Sequence, residues 1–155
     1  MGEIQVELLR RGAAHATNLE ISSNYETEAA ALVEKSGFTG RVSRKFVDIA
    51  ESPSAVEPAD IVVLHRVVCC YPDYERLLSA AASHARRMLA FSHPPGNALA
   101  RILVRLENVA LRLHGDSYRA YAHPPEAMLA VLQAQGLTAQ LRRRLRGWYV
   151  VGLAR

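Results

Sequence analysis

Cysteine is nearly absent from this chain. The two in 155 residues, Cys69 and Cys70, are adjacent, and neighbours in sequence seldom reach the Cα separation of a relaxed disulfide. With no C-x-x-C partner nearby they do not make a zinc site either, so no metal is expected. They read as small buried apolar groups and not as nucleophiles. Lysine is scarce too: Lys35 and Lys45 are the only ones, and every other basic residue is arginine. Heavy arginine and alanine usage is what a GC-rich genome produces, so the net charge of +4 is not taken as a nucleic-acid signature. No apolar run approaches the length of about 20 residues that a membrane helix needs. Glu3 and Glu7 interrupt any apolar signal segment. The expectation is a cytoplasmic protein, with neither membrane nor nucleic acid as a partner.

Half the residues are apolar, enough for a real core at this length. Ile4, Val6, Leu8 and Leu9 form a helical stripe that ends near Arg10, Arg11 and Gly12. His15 to Ile21 reads as a strand. Asn24 or Ser23 is placed to cap a helix through "YETEAAALVEKS", ending at Gly37. "RVSRKFVDIAES" is a further strand, and Pro53 and Pro58 bracket a loop. Ile61 to Leu64 is a β-branched run of the kind found in strands buried on both faces. A helix is predicted over Tyr74 to Arg87, then a strand over "MLAFSH".

The order of elements, αβαβ and then βαβ, predicts a parallel sheet with crossover helices. Asn97 to Leu113 is an insertion. Leu99, Ile102, Leu103, Leu106, Val109, Ala110 and Leu113 share one helical face there. A loop, "HGDSYRAYAHPP", leads to a helix opened by Pro124 and Pro125 and ended by Gly136. The tail, "LTAQLRRRLRGWYVVGLAR", holds two strands around Arg146-Gly147, close enough to be antiparallel. The two HPP triplets, at His93 and His123, are punctuation before helices and not a repeat.

Three stretches resemble class I S-adenosylmethionine-dependent methyltransferases. "MGEIQVELLRRGAAHATNLEIS" is similar to the segment from the last glycine of that family's glycine-rich loop to the acid ending its second strand. "ADIVVLHRVVCCYPDYERLL" is similar to its fourth strand and following helix. "LRRRLRGWYVVGLAR" is similar to its terminal strand pair. "HRVVCCYPDY" followed by "FSHPP" further resembles small-molecule methyltransferases of the kind that includes the magnesium-protoporphyrin enzymes. The resemblance implies an α/β fold: a Rossmann-like, mostly parallel sheet with helices on both faces and a C-terminal antiparallel hairpin. Residues 1–155 would form one such domain, with a helical insertion at about 94–123.

The family loop reads acid-x-Gly-x-Gly-x-Gly, and only its last glycine has a counterpart, Gly2. The family's first strand, which runs in the middle of its sheet, has none. A central strand with four large apolar residues contributes about 6–12 kcal/mol by burial, comparable to a typical domain's whole stability of about 5–15 kcal/mol. The expectation is an N-terminally truncated chain, with Met1 internal to a longer reading frame, or a partner or second copy covering the missing central strand.

The resemblance implies S-adenosylmethionine as cofactor and a small molecule as methyl acceptor. Glu20, with Ile21 after it, would meet the ribose hydroxyls; the alternative is a solvated acid before a helix. Asp48 would accept from the adenine amine and Ile49 would offer its backbone; the alternative is a turn cap. His65 leaves the sheet at its ligand edge beside Arg66, so it could meet the donor carboxylate or act as a base. His93 is the second catalytic candidate, at the same edge. Tyr71, His93 and His123 are the acceptor-binding candidates. The insertion helix would cover the cleft or wall the acceptor. Arg142, Arg143, Arg144 and Arg146 form the one basic cluster, but strand alternation divides them between faces. Three readings therefore stand: a small-molecule methyltransferase, a non-catalytic binding domain of the same fold, and a nicotinamide-dependent oxidoreductase.

Overall fold

Gly2 takes a left-handed backbone (φ 97°) and Glu3–Arg10 follow as helix α1. In this computed structural model, which describes residues 2–145 and 147–155, the chain divides into two compact units, 1–55 and 56–155. The sequence reading treats the whole as one domain. Met1 and Arg146 lie outside the described residues, so the reading of Met1 as an internal methionine and the fourth arginine of the basic cluster carry no structural description.

The first unit contains α1, strand β1 (Ala16–Glu20), helix α2 (Glu26–Lys35) and strand β2 (Val42–Phe46). β1 and β2 pair in parallel, with Glu20 opposite Phe46. Val6 and Leu9 of α1 are buried, as are Ala29, Val33, Ile49 and Ala50. Gln5 is buried with them, although the apolar stripe does not include it. Neither end of its amide has a hydrogen-bond partner among the described residues. The cap before α2 also differs from expectation. Ser22 Oγ accepts from Asn24 N at 3.3 Å, so a 3₁₀ turn over Ser23–Tyr25 intervenes and the α-helix starts at Glu26. Arg41 donates to the carbonyls of Ala13 and Ala14. Arg44 bridges Glu26 at 2.9 Å and Asn18 Oδ1 at 2.7 Å. Arg41 thus ties the entry of β2 to the turn before β1, and Arg44 ties the middle of β2 to β1 and to the start of α2.

The second unit holds β3 (Ala59–Leu64), α3 (Tyr74–His84), β4 (Ala85–His93), α4 (Ala98–Leu113), α5 (Pro125–Ala134), β5 (Thr138–Leu145) and β6 (Trp148–Ala154). Its sheet order is β3-β4-β6-β5. β3 and β4 are parallel; β4 with β6 and β6 with β5 are antiparallel. The α/β class, the parallel pairings and the C-terminal antiparallel hairpin are as the sequence indicates. Leu89, Phe91, Val151 and Leu153 on one sheet face bury against Leu77, Leu78, Ala81, Met128, Leu129 and Leu132 of α3 and α5. Alternation sends the next residues to the opposite face, where Ile61 and Met88 remain exposed.

Two sequence expectations change here. Ile61 to Leu64 reads as a strand buried on both faces, but β3 pairs only with β4 among the described residues, and an edge position leaves Ile61 exposed. The helix predicted to Arg87 stops at His84, and Ala85–Arg87 join β4. Arg155 explains the early stop. Its guanidinium donates to the carbonyls of Ala82 (3.0 Å) and Ala85 (2.9 Å) at the end of α3, and to Gln135 (3.1 Å) at the end of α5. It caps two helix C-termini, where carbonyls are otherwise unpaired. Arg155→Ala should therefore lower stability by about 1–3 kcal/mol, the scale of charge-assisted bonds discounted for exposure. Urea unfolding reads this directly, and Arg155→Lys should recover only part, because one ammonium cannot span three carbonyls.

Candidate functional site

Within the first unit, the ligand-type residues gather at the carboxyl ends of β1 and β2. Glu20 closes β1, and its Oε1 accepts from Ile21 N (2.9 Å) and Ser22 N (3.1 Å). Two backbone donors thus fix the carboxylate at the strand end. Ile21 follows, with 70 % of its surface exposed. Asp48, just past β2, uses Oδ1 to accept from Ala50 N at 2.8 Å, while Ile49 turns into the core. Gly2 precedes α1, and a Cβ there would sit 2.9 Å from Gln5 Nε2. Its left-handed backbone calls for glycine.

In the second unit, β3 and β4 end side by side, with Leu64 opposite Phe91. Arg66 follows with φ 57°, a strained position for a residue with a Cβ. That turn aims Arg66 N–H at Ser92 Oγ (2.8 Å) and lays the guanidinium over the Trp148 ring, 4.8 Å from its centroid. Ser92 Oγ also bonds His65 Nδ1 at 3.3 Å. The hydroxyl thus holds both the Arg66 amide and the His65 ring at the strand end. His65, Arg66, Ser92, Leu145, Trp148 and Val150 line a cavity of about 320 Å³.

The remaining histidines are placed differently. His93 is only 5 % exposed. It shares the buried face with Leu89 and Phe91, and its ring stacks between Phe91 (5.6 Å) and Tyr149 (5.4 Å). Its Nδ1–H donates to Pro94 O at 2.8 Å. Burial pulls its pKa below the ordinary histidine value, and the Pro94 carbonyl offsets this only in part. The folded state therefore binds its proton less readily than the unfolded chain, whose histidine titrates at about 6.5. Stability from this group is complete above that pH and falls as pH drops below it. Melting temperatures measured at stepwise lower pH should decline through this window, and His93→Gln should flatten the decline.

His123 Nε2–H donates to Tyr71 O at 2.9 Å. Its ring lies against Tyr121 and Tyr74. It pins the 114–123 loop to the segment after β3. Gly96 supports the same region: a Cβ there would lie 2.2 Å from Pro125 Cδ. The insertion helix α4 is capped by Asn97, whose Oδ1 accepts from Ala100 N at 2.8 Å. None of its residues is buried, and Leu99, Ile102, Leu103, Leu106, Val109 and Leu113 are all more than half exposed.

Sequence reasoning placed His65 and Arg66 at the strand end and missed Ser92 and Trp148. Alternation along "MLAFSH" was the available signal for Ser92, since it must face opposite to Phe91 and His93. No metal-holding group of three or more histidine, cysteine or acidic residues occurs among the described residues, and no helix there is long and apolar enough to cross a membrane.

No profile of a known protein family matches the chain, and neither does any curated protein. Solved structures do match. Magnesium protoporphyrin IX methyltransferase from Synechocystis, with bound SAH, superposes at TM-score 0.76 and 20 % identity over 99 % of this chain and 69 % of its own. The same enzyme with bound SAM matches over 65 % of its length. An O-methyltransferase family 2 protein from Planctomyces limnophilus, in complex with apigenin, gives TM-score 0.74 and 17 % identity over 99 % of this chain and 46 % of its own. An S-adenosylmethionine-dependent methyltransferase from Mesorhizobium loti gives 0.72 and 13 % over 99 % and 86 %. The chain thus has the class I methyltransferase fold, and it spans between about half and most of the length of these structures.

Proposed function

We propose that this chain is the S-adenosylmethionine-binding core of a methyltransferase that acts on a small molecule with a substantial apolar part. The observation that carries the reading is the Glu20 carboxylate at the carboxyl end of a parallel strand, oriented by the amides of Ile21 and Ser22. A carboxylate so held can accept from two vicinal hydroxyls, and ligands of open α/β sheets bind at this edge. Ile21 offers an exposed apolar surface beside it. Asp48 would accept from the adenine amine and Ile49 would offer its backbone. Gly2 would allow close approach of the methionine portion.

When bound, the donor supplies an electrophilic methyl group on a sulfonium. The residues of this chain then have to position the acceptor and exclude water. The cavity of His65, Arg66, Ser92 and Trp148 suits an acceptor that carries both an aromatic or apolar body and a hydrogen-bonding edge. The α4 face from Leu99 to Leu113 would wall it. Tyr71 and His123 fix the loop after α4, and buried His93 orients Tyr149. No residue is assigned as a general base.

β1 pairs only with β2, and β3 only with β4, among the described residues. The first unit's sheet thus has an open edge that a further strand can fill, and Gln5 in that unit has a buried amide with no partner among the described residues for it to satisfy. In this proposal that strand, with the glycine-rich loop, comes from upstream in the same polypeptide, and full activity needs it. A second reading rests on the same open edge: a non-catalytic domain whose added strand comes from another chain. Labelled-methyl transfer separates the two. The chain translated with its in-frame upstream sequence should methylate members of a panel of hydroxylated and carboxylated aromatic acceptors. No transfer to any acceptor, together with a stable complex with a second chain, would favour the binding domain. An in-frame stop codon immediately before Met1 would remove the upstream strand from the proposal.

A further inference from the structure

Two arginines beside the second unit's cavity, Arg66 and Arg143, have no carboxylate partner among the described residues. Arg143 stands opposite Val150 in β6, and Arg142 stands opposite Val151. Directly opposed residues share a sheet face. Arg143 is therefore on the side of Val150 and the cavity, while Arg142 is on the core side, where it meets Glu126. No acidic side chain lines the cavity. Arg66 itself is held in place. Ser92 Oγ accepts from its backbone N–H, and the left-handed backbone (φ 57°) sets where the side chain leaves the turn. A backbone so strained persists only where its surroundings enforce it, and such positions cluster at ligand sites. Trp148 supports the guanidinium, but an indole has no acceptor for N–H groups, so the donor fork remains for a ligand.

We infer that Arg66 holds a carboxylate of the methyl acceptor, so that the cavity selects aromatic acids over their neutral counterparts. This rests on the reading of the cavity as the acceptor's place. A carboxylate meets a guanidinium through two parallel N–H···O bonds, a geometry that an ammonium does not reproduce. Leu145, Trp148 and Val150 supply an apolar wall for the ring system that carries the acid. At about 320 Å³ the cavity stands at the small end of small-molecule sites, which suits a compound of one or two rings.

The methyl donor's own amino-acid carboxylate is the competing anion. It carries an ammonium on the adjacent carbon and a sulfonium further along. A site with two unpaired guanidinium groups and no acid repels both of those cations. A carboxylate on an uncharged ring system meets no such opposition. Arg143 adds to the same field without touching the ligand. Arg66 is exposed, so water competes for its donors, and the expected preference for acid over amide is about tenfold.

The test uses Trp148, the chain's one tryptophan, whose indole N–H gives a single resonance in a ¹H–¹⁵N correlation spectrum. The chain is titrated with 2-naphthoate and, separately, with 2-naphthamide, with no methyl donor present. The acid should shift that resonance saturably, with a Kd about tenfold below the amide's. Arg66→Gln should raise the acid's Kd to that of the amide, and Arg66→Lys should recover only part of the difference. Dispersion of the backbone amide resonances reports the folding of each variant, and the acid–amide comparison on the unaltered chain needs no variant. No saturable shift with the acid, equal Kd values for acid and amide, a preference that survives Arg66→Gln, or displacement of the acid by S-adenosylhomocysteine would overturn the proposal. Acid binding through Arg66 in a chain that binds no S-adenosylhomocysteine would support the carboxylate site and overturn the methyl-donor reading instead.

Discussion

Glu20→Gln should weaken S-adenosylmethionine binding by roughly 10–100-fold, the equivalent of about 1–3 kcal/mol for a lost charge-assisted hydrogen bond. The size follows from the geometry. The carboxylate is already held by the Ile21 and Ser22 amides, so no rotamer freedom has to be lost when it meets two hydroxyls. The glutamine keeps the shape and one acceptor oxygen, but it places an amide N–H where an acceptor is needed. The fold should tolerate the change, because Glu20 lies at a strand end and not in the core. Calorimetry with S-adenosylmethionine, alongside urea unfolding of the same variant, separates the two effects. Equal affinity in the variant and the parent would remove Glu20 from the site.

Phe91→Ala should cost about 3–5 kcal/mol of stability. Phe91 is 1 % exposed. It sits at the centre of the second unit's sheet, opposite Leu64 on one side and Val151 on the other. Its removal leaves a cavity that two hydrogen-bonded neighbours cannot close. It also takes away one of the two rings that hold His93, and through His93 the register with Tyr149. Against a typical total of about 5–15 kcal/mol, the loss is a large fraction of the whole. Phe91→Leu should cost less than about 1.5 kcal/mol, because it largely keeps volume. Chemical denaturation gives both values, and a Phe91→Ala cost below 1 kcal/mol would contradict the packing described.

The elements were legible where one local signal dominated. Periodicity located α4 and α5 almost to the residue, and the short Arg146-Gly147 link implied the antiparallel pair. Element ends were less legible, because distant residues set them. Arg155 stops α3 from seventy residues away, and no local pattern records that. The cavity was half legible. His65 and Arg66 stand at a strand end that any reading would mark, but Trp148 becomes part of it only because β6 pairs beside β4. His93 shows the converse. Its position at a strand end suggested a ligand, yet its parity with Leu89 and Phe91 turns it into the core. Gln5 had no signal: its amide is buried without a partner among the described residues, and the apolar stripe of α1 does not include it.

The account rests on the first unit's strand ends holding the nucleoside of a methyl donor. Isothermal titration with S-adenosylhomocysteine tests this most directly, because the product needs no acceptor and no turnover. The chain translated with its in-frame upstream sequence should bind one equivalent saturably, with affinity lowered by Glu20→Gln. Absence of saturable binding up to millimolar ligand, in both that form and the chain alone, would contradict the account.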